Sequence, residues 1–79
     1  MTYTPSDQMV ERIANDFTYH APHGDQAQRY EEIRARFKEL ALFLLSSTPP
    51  SREQSLAITL LEESVFYANA AIARNEAKE

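Results

Sequence analysis

Residues 17–25, FTYHAPHGD, concentrate ligand-binding residue types in one short segment that contains two aromatic residues, both histidines of the chain and its single glycine. Tyr19 either closes an apolar core beneath this segment or stacks on a nucleobase, a contact of about 1–3 kcal/mol per base. His20 either hydrogen-bonds the backbone or contacts a ligand, because a neutral imidazole both donates and accepts. His20 and His23 have no cysteine and no third ligand at a recognisable spacing, so we expect no metal site.

Basic side chains of the next segment form a second candidate set within an acidic protein of net charge −4. On a helix, Arg34 and Lys38 lie four residues apart and face the same way, in line with Tyr30. They either pair with neighbouring glutamates on a solvated face, which contributes little stability, or hold the phosphate of a nucleotide whose base lies on the aromatic line.

Two polar residues stand out further along the chain. Arg52 follows Ser51 at a helix start, where it is either an exposed, tolerated side chain or part of an anion site made with the helix N-terminus. Asn69 lies among alanines in ANAAIARN, and a buried amide there needs either a cross-chain hydrogen bond or a ligand contact. We find no catalytic constellation and no glycine-rich phosphate loop, so we expect neither enzymatic activity nor a cofactor.

Hydrophobic periodicity and capping residues predict an all-α fold that positions these side chains. Thr4, Pro5 and Asp7 predict a short first helix over 5–16. A structured loop over 17–25 follows, in which Asp25 is positioned to cap the next helix. An antiparallel hairpin of two longer helices then covers 26–46 and 52–75. Its turn contains Pro49 and Pro50, and a capping box over 51–54 starts the last helix.

Composition limits the class of protein. The chain has 79 residues and no cysteine, which predicts one domain over 1–79 without disulfides. No segment reads as a secretory signal or as an apolar run long enough to cross a membrane, so we expect a soluble cytosolic protein. The acidic balance argues against DNA binding.

The hairpin helices carry apolar residues on at least two faces each, more than one short amphipathic helix covers. If these faces stayed exposed to solvent, the apolar patches would be larger than those that soluble monomers usually carry. Burial of these apolar faces stabilises the fold by roughly 25 cal/mol per Å². For an isolated hairpin this gain is nearly cancelled by the loss of conformational entropy when the chain becomes ordered. The pattern therefore predicts a homo-oligomer.

Three stretches resemble a family of small phage anti-defence proteins that share a helical hairpin. The first is F-T-Y-H-x-P over 17–22, and the second is Y-E-x-I-R-x-x-x-K-E-L-A over 30–41. The third, over 51–75, contains SREQSLAITLLEE and ANAAIARN. Members of this family are sponges. One branch counters CBASS immunity by sequestering cyclic di- and trinucleotides, and the other counters Thoeris by sequestering a cyclic ADP-ribose isomer.

The resemblance implies a homo-oligomer, typically a hexamer, that binds signals between protomers without cleaving them in the cytoplasm of the infected bacterial host. It implies that Tyr19 and a basic residue, either Arg34 or Lys38, contact the ligand, with Arg52 and Arg74 as further candidates. The chain length favours the CBASS-type branch. Two alternatives remain: a Thoeris-type sponge, and a helical protein–protein interaction module that binds no nucleotide.

Overall fold

Three α-helices make up residues 2–76, the part of the chain that the computed structural model describes. They are α1 (Asp7–Asp16), α2 (Gln26–Ser47) and α3 (Arg52–Asn75), with no strand in this range. The predicted all-α class is confirmed. α2 and α3 pack against each other as a hairpin, whereas α1 touches them far less. Met1 and residues 77–79 of the predicted 1–79 domain lie outside the described range.

The first helix begins at Asp7, two residues later than the predicted start at residue 5. Ser6, not Thr4, is its N-cap: its backbone is extended, with φ −72° and ψ 150°, and its hydroxyl accepts from the Met9 amide at 3.2 Å. Both residue types cap helices well, so the sequence offers two competing starts. The serine satisfies an otherwise unpaired amide, and Asp7 keeps its favourable place in the first turn.

The hairpin turn is closed by polar side chains. α2 ends at Ser47, one residue beyond the predicted end, and the Thr48 hydroxyl and amide both donate to the Leu44 carbonyl. Ser51 caps α3 by accepting from the Gln54 amide at 3.1 Å. The predicted capping box is only half formed, because the Gln54 side-chain amide donates to the Thr48 carbonyl and hydroxyl, both at 3.0 Å, and its oxygen accepts no hydrogen bond from the Ser51 amide.

Asp25 occupies the N-cap position of α2 but its side chain makes no capping hydrogen bond, which corrects the sequence expectation. The carboxylate instead accepts from Arg29 Nε at 3.0 Å. The backbone of Asp25 lies at φ −90° and ψ 10°, outside the extended region typical of N-cap residues whose side chains bond the following amides.

The C-terminal end of α3 is joined to the start of α2 by an ionic latch, which we define as Gln26, Arg29 and Glu76. Arg29 donates to both Glu76 oxygens at 2.7 Å, and Gln26 Nε2 donates to Glu76 at 2.9 Å. The side-chain Oε1 of Gln26 also accepts from the His23 amide at 3.1 Å. Gln26 is the one buried residue in the described range, 3% exposed, and the latch therefore holds the loop to the hairpin.

The chain forms a thin plate of 49 × 39 × 13 Å. Its radius of gyration is 17.2 Å, against about 12 Å for a compact domain of this length. It exposes 6693 Å², whereas a compact monomer of this mass exposes about 4,900 Å². The excess is about 1,800 Å², roughly the area that two standard protein–protein interfaces take from one partner.

Apolar side chains line both sides of this plate, and none is buried in the described chain. Even the best-packed positions, such as Ile33, Ala57 and Val65 between α2 and α3, are only half-buried. Large apolar residues are exposed on every helix and in the loop: Tyr3, Met9, Val10, Ile13, Phe17, Tyr19, Leu40, Leu42, Phe43, Leu45, Leu56, Leu60, Phe66 and Tyr67. A single copy thus lacks a closed core.

By length and composition alone α3 could cross a membrane, since an 18-residue window has a mean hydropathy of 1.3 and none of it is buried. The expectation that no segment reaches this level was therefore wrong. Glu62 and Glu63 lie midway along this helix, however, and carboxylates at the centre of a bilayer are strongly disfavoured. The exposed apolar surface of α3 fits contact with protein better.

The latch predicts an acid-sensitive contribution to stability. Hydrogen bonds from Arg29, and then from Gln26, lower the pKa of Glu76 from 4.5 to about 2. Because the folded-state pKa lies below the unfolded one, the contribution is present above about pH 4.5 and is lost as the pH falls towards 2. In thermal unfolding followed by circular dichroism at fixed concentration, Glu76→Gln should unfold at lower temperature at pH 7, and its deficit should shrink between pH 4.5 and 2.

Glu53→Gln is the matched control, because Glu53 is a helix-terminal carboxylate 79% exposed with an arginine nitrogen only at 3.9 Å. It should keep the pH dependence of the parent chain. An unchanged deficit for Glu76→Gln across this pH range would contradict an ionic role for the latch.

Candidate ligand-binding groove

The loop of residues 17–25 is positioned by contacts at both of its ends. At the α1 end, the Phe17 amide donates to Ile13 and the Thr18 hydroxyl to Ala14, which closes the helix. At the α2 end, Gly24 adopts φ +57°, a left-handed conformation that residues with a Cβ rarely accept. The chain can therefore turn sharply into α2 after carrying Tyr19 and His20 past the end of the hairpin.

A groove of about 340 Å³ lies between this loop, the beginning of α2 and the last turns of α3. We call it the loop groove. It brings together five of the seven side chains that the sequence singled out, namely Tyr19, His20, Arg34, Asn69 and Arg74. They come from three separate segments, so their proximity is a property of the fold. Their role in binding remains a prediction.

Two tyrosines form the aromatic part of the loop groove. Tyr19 is 81% exposed, so in this chain it closes no core beneath the loop and its ring is free to stack. Tyr30 is half-buried one helical turn before Arg34 on α2. The groove thus offers an aromatic face beside a guanidinium, an arrangement suited to a planar group that carries an anion.

The two arginines of the loop groove differ in their pairing. Arg74 Nε lies 3.6 Å from Asp16 Oδ1, and Asp16 also pairs with Arg12 at 3.6 Å. Arg34 makes no ion pair within the described chain, although Arg36 on the same helix pairs with Glu32 at 2.9 Å. Pairing with a glutamate therefore applies to Arg36 and not to Arg34, which is exposed and has no ion-pair partner among residues 2–76, so its charge is available to a ligand.

His20 and Asn69 each contribute a buried atom without a hydrogen-bond partner. His20 Nε2 lies 2.9 Å from the Asn15 carbonyl, which only accepts, so a neutral ring carries its proton on Nε2 and its lone pair on Nδ1. This Nδ1 and the Asn69 Oδ1 have no partner among residues 2–76. The backbone contact predicted for His20 is present, and the other ring nitrogen remains unused.

Lys38 lies outside the loop groove. It lines a smaller groove of about 190 Å³ between α2 and α3, with Arg34 at the boundary of both. Apart from Arg34, Lys38 and Glu62, the lining of this second groove is apolar. Of these two residues only Arg34 lines the same groove as Tyr19, which separates two candidates that the sequence left equivalent.

Arg52 lies at the opposite end of the hairpin. α2 spans 22 residues, which at 1.5 Å per residue places the two ends of the hairpin about 33 Å apart. The Arg52 side chain is 79% exposed, and its Nη1 lies 3.9 Å from Glu53. Within one chain Arg52 therefore belongs to a different surface from the loop groove.

Sequence reasoning left three polar residues of the loop groove out of the candidate set: Asp16, Thr18 and Tyr30. Tyr30 had a usable signal, because it precedes Arg34 by one helical turn. Asp16 and Thr18 carried no such sequence signal, because their position in the groove depends on where α1 ends and how it contacts α3.

The arrangement is suited to binding rather than catalysis. It combines exposed aromatic surface, an unpaired cation and two hydrogen-bond acceptors. No group of three or more histidine, cysteine, aspartate or glutamate side chains capable of holding a metal occurs within residues 2–76. A planar anionic ligand matches the available groups.

The chain matches the family model Acb2/Tad1, hairpin domain, over residues 9–73. No curated protein and no solved structure gives a significant match. The matched region spans α1 from Met9, the loop and nearly all of the hairpin, and so includes all seven candidate residues except Arg74. Since this region covers most of the chain, the protein belongs to the Acb2/Tad1 hairpin-domain family, the anti-CBASS and anti-Thoeris sponges.

Proposed function

We propose that this protein is an anti-CBASS sponge that binds cyclic di- and trinucleotide immune signals in the cytoplasm of an infected bacterial host and does not cleave them. The observation that carries the proposal is that the exposed Tyr19 ring and the unpaired Arg34 line one groove. Family membership supports the general class, a non-catalytic anti-defence sponge. The choice of ligand rests on the groove.

Binding combines two interactions. A base of the ligand stacks on Tyr19, and the neighbouring phosphate is neutralised by Arg34, with Arg74 as a second donor. In this proposal no bond of the ligand breaks, in keeping with the non-catalytic class of the family. Sequestration then needs only an affinity and a copy number high enough to hold the free signal below the level that its effector requires.

Assembly completes the pocket in this proposal. The loop groove, at about 340 Å³, lies near the lower limit of small-ligand sites, and a cyclic dinucleotide carries two bases and two phosphates. A second copy across the groove provides the other half. The excess exposed area of about 1,800 Å² per chain accommodates more than one such contact. The homohexamer is the arrangement that the family resemblance implies.

Lys38 and Arg52 receive secondary roles. Lys38 faces the second groove, where it contacts ligand atoms that extend past Arg34. Arg52, at the far end of the hairpin, contributes to a separate site for the larger cyclic trinucleotides, formed when another copy is brought beside it.

A Thoeris-type sponge for a cyclic ADP-ribose isomer is the second candidate. The family model covers both branches, and an ADP-ribose ligand also combines a purine with adjacent phosphates. A thermal-shift panel of cyclic dinucleotides, cyclic trinucleotides and cyclic ADP-ribose isomers separates these candidates, because only bound ligands raise the melting temperature. A helical interaction module would give no shift with any of them.

The ligand should return from the complex unaltered. We expect that mixing the protein with a cyclic dinucleotide, then destroying the protein with heat or protease, releases the intact cyclic compound, as judged by chromatography and mass spectrometry. Recovery of a linear or hydrolysed product would identify an enzyme instead.

Tyr19→Ala should weaken cyclic dinucleotide binding by about tenfold to a hundredfold, because it removes the stacking surface. Tyr19→Phe keeps the ring and should bind nearly as the parent does. Dissociation constants from isothermal titration calorimetry provide the measurement. Equal affinity of the alanine variant and the parent would remove Tyr19 from the site.

Arg34→Ala should weaken binding at least tenfold, since a charge-assisted hydrogen bond to phosphate is worth about 1.5–3 kcal/mol. Arg36→Ala is the matched control: it removes the same charge from the same helix at a side chain 75% exposed and paired with Glu32. The control should leave affinity nearly unchanged. Equal losses in both variants would indicate a general charge effect and not a specific contact.

Self-association should be visible without ligand. In sedimentation velocity at low micromolar concentration, we expect a species several times heavier than the 9.0 kDa chain. Phe43→Asp, which places a charge on a residue 62% exposed in the single chain, should dissociate it if that face is an interface. A well-folded parent monomer under these conditions would exclude a pocket shared between copies.

A further inference from the structure

We infer that His20 and Asn69 select the base of the ligand, and that they favour one that presents N–H donors on its edge, with guanine as the best fit. This inference rests on the proposed function and specifies the ligand further. It assigns the two unpaired acceptors of the loop groove a role distinct from that of Tyr19 and Arg34.

The acceptor character of His20 is set by its neighbours. The Nε2 proton is held by the Asn15 carbonyl at 2.9 Å. Asn15 is itself fixed, since its side-chain amide donates to the Arg74 carbonyl at 3.0 Å. The neutral ring is therefore held as the tautomer that leaves a lone pair on Nδ1, and this atom is buried without a partner.

Asn69 provides a second acceptor from a different element. It lies on α3 between Ala68 and Ala70, and its Oδ1 is buried without a partner among the described residues. The two guanidinium groups that line the groove leave it unpaired: Arg74 is turned towards Asp16 at 3.6 Å, and Arg34 makes no hydrogen bond to Asn69. Two buried acceptors in one groove require donors from outside the chain.

The chemistry of the ligand decides which of its parts lies against these atoms. A phosphate presents only acceptors and is disfavoured there, whereas it is favoured beside Arg34. Guanine presents N1–H and the 2-amino group next to each other on one edge, two donors for two acceptors. Both protein atoms are covered in the free chain, although the His20 and Asn69 side chains are partly exposed, so binding includes a shift of these side chains towards the base.

The test compares two ligands that differ in one donor group per base: cyclic di-GMP and its inosine analogue, which lacks only the two 2-amino groups. Titration calorimetry on the full chain gives both dissociation constants. We expect the parent to prefer the guanine ligand by about tenfold, the scale of one hydrogen bond to a buried acceptor. One of the two variants Asn69→Ala and His20→Phe, the one that removes the acceptor of the 2-amino group, should bring the ratio towards one, whereas the other removes the acceptor of N1–H and should weaken both ligands alike.

Asn75→Ala is the matched control, since it removes an asparagine from the same helix whose amide donates to the Ala71 carbonyl at 3.0 Å. It should keep the preference of the parent. Asn69→Ala is the safer of the two test variants for folding, because alanine is the best helix former and already flanks the site.

The outcomes separate this inference from the proposed function. Binding of both ligands with equal affinity by the parent overturns the inference and leaves the sponge intact. A guanine preference that survives in both Asn69→Ala and His20→Phe also overturns it, because other groups then read the base. Absence of binding to any cyclic nucleotide overturns the proposed function itself.

Discussion

The last turn of α3 is the point on which the geometry of the loop groove depends. Glu76 holds Arg29 and Gln26 at the start of α2. The backbone carbonyl of Arg74 accepts from the Asn15 side chain, and the Arg74 guanidinium faces Asp16. α1 makes few contacts with the hairpin, so these polar contacts fix the loop between them. Tyr19 and His20 are therefore positioned by hydrogen bonds and ion pairs, and not by a core.

Reliance on polar contacts follows from the shape of the chain. A plate 13 Å thick is about one helix diameter deep, and side chains on it reach solvent from one face or the other. Such a layer buries too little apolar surface to offset the ordering of its backbone. In the proposed assembly, apolar interfaces between copies stabilise the fold, and the polar groove that binds the ligand lies next to them. A chain this small can therefore carry a polar binding site.

The helices could be predicted from sequence because their signals are local: apolar spacing, prolines at the turn and capping residues. The cap of the first helix was predicted at Thr4 and lies at Ser6, because both residue types cap well and Pro5 suits a first helical position. Contacts distant in sequence were out of reach, as with Arg29 and Glu76, which lie 47 residues apart. The same limit left Arg34 and Lys38 equivalent until the fold placed one of them beside Tyr19. The lack of a hydrogen-bond partner for the His20 Nδ1 atom depends on the positions of individual atoms, which residue spacing does not predict.

The short hairpin turn over residues 48–51 has a kinetic consequence. Next to this turn the two helices meet through contacts local in sequence, and such contacts form quickly. The encounter between finished hairpins is bimolecular, so it slows as the chain becomes dilute. If copies must meet to complete each pocket, the binding capacity at first lags behind synthesis of the chain. It then rises faster than the number of chains. Below a threshold level of expression, little signal is captured.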